Sequence, residues 1–153
     1  MKSNRESGKI GLLTVAAVVI VGMIFVSFLF AKEDPASVGS QFMDALARHD
    51  VDKLTELSLV GKTDPATADA EKKKLRAQWE FCVKTAGQHY AFMWKITGSN
   101  NATDDHATVI VQINKSGANG YDEKYELPLE KVSNKWLVSV PGISKTMFPG
   151  LPE

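Results

Sequence analysis

The chain has 153 residues, and its 18 basic side chains balance 18 acidic ones. Charged residues make up 24% and hydrophobic residues 44%, which excludes a chain disordered throughout, while zero net charge argues against a nucleic-acid binder, which carries a basic surplus. A single cysteine, Cys82, excludes an internal disulfide framework and a cysteine-rich zinc site.

Residues 10–31 read IGLLTVAAVVIVGMIFVSFLFA, 22 positions without a charge. As a helix such a run reaches about 33 Å, enough for a hydrocarbon core of about 30 Å, and it predicts a transmembrane span. Lys9 and Lys32 bracket it, and Gly11 and Gly22 are its candidate contact points with other transmembrane subunits. A cleaved signal peptide fits less well. Its apolar region runs to about 7–15 residues, and Leu29-Phe30-Ala31 is a poor small-x-small cleavage site. Lys2, Arg5 and Lys9 precede the run, whereas Lys32 is followed by Glu33 and Asp34. The positive-inside bias predicts an inner-membrane protein. Residues 1–9 then form a cytoplasmic tail, residues 32–141 an extracytoplasmic (periplasmic) domain and residues 142–153 an extended Pro/Gly-rich tail. The part beyond the anchor, residues 32–153, carries 15 basic and 17 acidic groups. That near-neutrality favours neither anionic lipid nor nucleic acid as its partner.

Asp34-Pro35 is a helix start, a capping side chain before proline at the first helical position. Val38, Phe42, Ala45 and Leu46 follow on one face. His49-Asp50 ends this helix, and Asp50 caps a second short one with Leu54, Leu57 and Leu59 inward. Gly61 to Asp64 reads as a turn, and Asp64-Pro65 repeats the start signal. The third helix runs to about Ala86 with Gly87 as its C-cap. Its inward stripe is Leu75, Trp79, Cys82, Val83 and Ala86, and Lys72-Lys73-Lys74 reads as a solvated face.

From His89 the apolar period switches from 3.6 to 2. Tyr90, Phe92, Trp94 and Ile96 share one face of a first strand, and residues 98–103 read as a turn. Ala107, Val109, Val111 and Ile113 mark a second strand, closed by a turn over 115–120. Tyr121, Tyr125, Leu127 and Leu129 mark a third, where Pro128 predicts an edge or a bulge. Ser133-Asn134 turns the chain into a fourth, with Trp136, Val138 and Val140 on one face. The pattern predicts an α+β domain, with three helices packed on a curved four-stranded antiparallel sheet.

The stretch PASVGSQFMDALARHDVDKLTELS resembles the opening of NTF2-like (cystatin-like cone) domains, in which a helix ending Ala-Leu-x-x-x-Asp leads to a short helix Asp-x-x-x-Leu. KWLVSV is similar to that superfamily's final strand, and the resemblance covers residues 35–141. It implies packing rather than chemistry. The superfamily includes isomerases, dehydratases, polyketide cyclases and many non-catalytic binding or assembly modules, so fold implies no activity.

Catalytic members of that superfamily place an Asp/His or Tyr/Asp pair inside the cone. Here His49 ends a helix, where a cation suits the dipole, His89 opens a strand, and His106 follows Asp104-Asp105 at a hairpin where polar residues belong anyway. No metal-ligand spacing, phosphate loop or nucleophile elbow is present. Cys82 lies on an apolar stripe, as a buried structural thiol does. Asn101-Ala-Thr103 and Asn114-Lys-Ser116 match the glycosylation sequon, a match that arises often by chance.

The tail after the last strand holds three prolines yet also Ile143, Met147, Phe148 and Leu151. It predicts either a segment packed back on its own sheet or an arm that docks on a partner. Two functional expectations follow. In the first, the chain is a non-catalytic, single-span accessory subunit of a larger membrane complex, such as an electron-transport or photosynthetic assembly. It needs no cofactor and contacts partners through Gly11, Gly22, Met147, Phe148 and Leu151. In the second, it is a tethered module or enzyme that takes a small apolar ligand in a pocket lined by Trp79, Tyr90, Trp94 and His106.

Overall fold

A computed structural model describes residues 34–60, 67–87, 91–115 and 122–153. The apolar run with Gly11 and Gly22, the Asp64-Pro65 helix start, His89, Tyr90 and Tyr121 lie outside the described residues. No helix among the described residues is long and apolar enough to cross a membrane.

Helix α1 spans Pro35–Arg48, with Pro35 in its first turn; the Asp34 side chain makes no capping bond. Val38, Phe42, Met43, Ala45 and Leu46 are buried on one face. Gly39 lets that face close on the sheet, because a Cβ there would lie 3.0 Å from Val109 Cγ1. His49 ends the helix in the left-handed region at φ 58, its N–H donating to the carbonyls of Ala45 and Leu46. Asp50 then caps α2, Val51–Leu57, by accepting the Lys53 backbone N–H at 3.0 Å.

Helix α2 ends at Leu57, and Ser58–Leu59 forms a short strand, β1. Leu59 is buried as expected, but from a strand rather than from the helix. Helix α3 covers Ala68–Ala86 and buries Leu75, Trp79 and Cys82, with Val83 and Ala86 half-buried. Gly87, at φ 72, caps it through its N–H to the Val83 carbonyl.

The remaining strands are β2 Phe92–Asn101, β3 His106–Lys115, β4 Asp122–Val132 and β5 Lys135–Ser139. The sheet among the described residues has five strands in the order β1-β5-β4-β3-β2. The expectation of four antiparallel strands is corrected in two ways. A fifth strand is present, and it runs parallel to β5, with Ser58 opposite Val138 and Leu59 opposite Ser139. Two residues carry no period, so their pattern could not announce them. The expected turn at 98–103 also moves. A bulge between Ile96 and Gly98 absorbs the irregularity, and pairing continues to Asn101 opposite Ala107.

Pro128 stands in an inner strand, opposite Thr108, rather than at the sheet's edge. It lies one residue beyond the last β4–β5 pair, Leu129 with Val138, so the ladder has ended where proline lacks a donor. The chain leaves β5 through a 3-10 turn, Val140–Gly142. Gly142 passes so close to Pro128 that a Cβ would sit 2.6 Å from its Cγ. Ser133 and Asn134, at φ 49 and φ 67, form the two-residue β4–β5 turn whose twist matches the strands.

Candidate functional site

The inward faces of β3, β4 and β5 alternate as the period predicts: Ala107, Val109, Val111 and Ile113, then Tyr125, Leu127 and Leu129, then Trp136 and Val138 are buried. They meet α1 and α3. Phe42 and Trp79 pack edge to face with ring centroids 5.8 Å apart. Trp79 is fully buried and its indole N–H donates to Ser58 Oγ at 3.1 Å. The group offered as a pocket wall thus pins α3 to β1.

The C-terminal segment closes this layer. Ile143, Met147 and Phe148 are buried, the last two at 1% exposure, and Leu151 is half-buried. The Phe148 ring stands edge-on to Phe92 at 6.1 Å and to His49 at 6.2 Å. The segment therefore packs back on its own domain, and Met147 and Phe148 are not displayed as a free arm. The physical reason is area. Burying one such side chain contributes roughly 1.5–3 kcal/mol, and Phe92 on β2 and His49 at the end of α1 supply a place for Phe148.

A polar cluster fixes the segment from the sheet side. Lys115 Nζ, at the end of β3, donates to Glu123 Oε2 at 2.8 Å, to Tyr125 Oη at 2.9 Å and to the Thr146 carbonyl at 2.8 Å. Tyr125 in turn donates towards Glu123 and the Thr146 carbonyl. Lys115 and Tyr125 hold the exposed Glu123 carboxylate below its ordinary pKa, because both bond its charged form. Sequence reasoning passed over this cluster. Its one signal was a tyrosine on an inward strand face, whose hydroxyl needs a partner when buried.

From the helix side, Cys82 Sγ donates to the Pro149 carbonyl at 3.3 Å and Gln78 Nε2 to the main-chain oxygen of Glu153 at 3.2 Å. Burial pushes the Cys82 thiol up to about 12, so it stays protonated at neutral pH and is a poor nucleophile.

Of the other pocket candidates, Tyr90 lies outside the described residues and Trp94 packs against the core cluster that holds Trp79. Trp94 is half-buried on β2 opposite Ile113. His106 is exposed and opens β3, seven residues from Ile113, which is about 23 Å along a strand. Thr103 Oγ1 accepts the His106 N–H at 3.1 Å, a turn contact. Lys72, Lys73 and Lys74 are exposed on α3. The first two join Arg76 along a cleft of about 510 Å³ that also presents Asp52, Glu56 and Asp69. Three cations face three carboxylates there, and Arg76 already bonds Asp52 and Glu80, so the cleft has no surplus charge for an anion. Among the described residues no group of three metal-capable side chains occurs.

No family model matches the chain, and no curated protein matches it. Similar solved structures include an NTF2-like protein from Campylobacter jejuni at 15% identity, covering 70% of this chain and 98% of that one with a TM-score of 0.49. A cystatin-like domain from Nostoc punctiforme is 12% identical, covers 68% and 70% of the two chains and has a TM-score of 0.48. A ketosteroid isomerase-like protein from Erwinia carotovora atroseptica is 12% identical, with 67% and 86% covered and a TM-score of 0.41.

Proposed function

We propose that this chain is a non-catalytic, single-span accessory subunit of a larger membrane complex. Residues 10–31 cross the inner membrane, and an NTF2-like cone on the extracytoplasmic side docks on neighbouring subunits. The observation that supports the reading is the burial of the chain's own Met147 and Phe148, each 1% exposed, in the core cluster of the described residues. What the domain offers is its outer surface. The uncharged run supports the anchor, and Lys2, Arg5 and Lys9 ahead of it support the orientation.

The reading as a ligand-binding module or enzyme draws less support. Trp79 uses its indole N–H on Ser58, and His106 sits at the opposite end of β3 from the aromatic cluster around Phe148. Extraction of the tagged full-length protein in mild detergent, followed by native electrophoresis and mass spectrometry, tests the choice. A stoichiometric large assembly is expected. A lone monomer or homodimer rejects the subunit role and turns attention to ligand screening.

A further inference from the structure

Helix α3 buries Leu75, Trp79 and Cys82, and the side turned away from them carries a second stripe. Ala70, Lys74, Ala77, Phe81 and Lys84 are all exposed. They follow one another at spacings of 4, 3, 4 and 3 residues. On a helix that spacing draws one line, about 21 Å long, and it is the seam along which a second helix packs. Phe81 lies on it at 67% exposure. Among the described residues it is the one large hydrophobic side chain that a helix leaves in solvent.

Charge says what lies opposite. Neither Lys74 nor Lys84 takes part in an ion pair among the described residues. The stripe itself holds no carboxylate. Of the carboxylates beside it, Glu80 accepts from Arg76 Nε at 3.1 Å and Glu71 accepts from Thr67 Oγ1 at 2.9 Å. Phe81 thus stands two turns past one uncompensated cation and one turn before another.

We infer that this stripe is a docking face for a helix of a neighbouring subunit. That helix presents carboxylates to Lys74 and Lys84 and an apolar hole to Phe81. Ala70 and Ala77 have short side chains and let it approach closely, and Phe81 is the aromatic anchor on which such contacts concentrate their energy. The charge pairs fix register and partner choice. A second copy of this chain brings the same lysines and no carboxylate in its stripe. A bilayer surface takes a broad apolar face, whereas one aromatic between two alanines is narrow. The neighbour is the one that the accessory role requires, so the assignment rests on that role.

The test uses the full-length chain in its native membranes, with Phe81 replaced by the photoreactive p-benzoylphenylalanine. Irradiation is expected to join it to one neighbouring protein, at a peptide that carries Asp or Glu. Lys74→Glu together with Lys84→Glu is expected to lower that product about 10-fold or more, and lysines in place of the partner's carboxylates to restore it. The same probe at Met93, 69% exposed on β2, is expected to give no such product. On native gels Phe81→Ala is expected to release the chain from its assembly while circular dichroism stays unchanged. Crosslinks to lipid, to a second copy or to nothing overturn the face, as does a product indifferent to the lysine reversal. An assembly that survives all these variants overturns the face and leaves the accessory role standing. A chain that enters no assembly even unaltered overturns both.

Discussion

Trp79 shows what one residue contributes here. It is the largest fully buried side chain, it meets Phe42 edge to face, and it supplies the donor that Ser58 accepts. Trp79→Phe removes the donor, leaves the buried Ser58 hydroxyl without that bond and opens space beside Phe42. Together these costs are about 2–4 kcal/mol. Urea unfolding is expected to show that loss as a lower midpoint, shifted by the loss divided by the slope, with the slope unchanged. Phe81→Ala is the matched control, since Phe81 is 67% exposed, and it is expected to stay within about 0.5 kcal/mol of the parent. Equal effects from the two variants would show that burial in this core does not carry the stability assigned to it.

At the scale of elements, the C-terminal segment is held to the sheet by a titratable clasp. Glu123 has a folded pKa below its ordinary value because Lys115 and Tyr125 bond the carboxylate. Its contribution is therefore present above about pH 4.3, the ordinary glutamate value, and is lost as pH falls through the lower folded value. Amide exchange in residues 143–153 is expected to rise across that window while the β3–β4 ladder stays protected. Tyr125→Phe is expected to raise exchange in the same residues already at pH 7. An acid transition that opens tail and ladder together would reject a separable clasp. Much of this element structure was legible in the sequence. His49-Asp50 marked the α1 to α2 join, Gly87 marked the end of α3, and the period-2 runs located β3 to β5. The rest was illegible for identifiable reasons. Ser58–Leu59 is too short to have a period, and the bulge at Ile96/Gly98 masks continued pairing behind turn-like residues. The Lys115 cluster joins residues 31 positions apart through a main-chain carbonyl, which no side-chain pattern encodes.

For the molecule as a whole, the question is whether residues 10–31 remain in the mature protein. Among the described residues the buried cluster runs from Val38 to Phe148, and residues 33–153 form a compact unit of their own. A chain lacking residues 1–31 is therefore expected to fold, with a melting temperature within a few degrees of the full-length protein's domain transition, and to leave the membrane fraction. The full-length chain is expected to stay with membranes after alkaline carbonate washing, because a run of 22 uncharged residues partitions strongly into hydrocarbon. The intact mass of the membrane-extracted protein decides between span and signal peptide. A mass that includes residues 10–31 supports the anchor. A chain starting near Lys32 in the soluble periplasmic fraction would reject both the anchor and the single-span role. It would leave the packing of residues 143–153 untouched, since every group named in those contacts lies between His49 and Glu153.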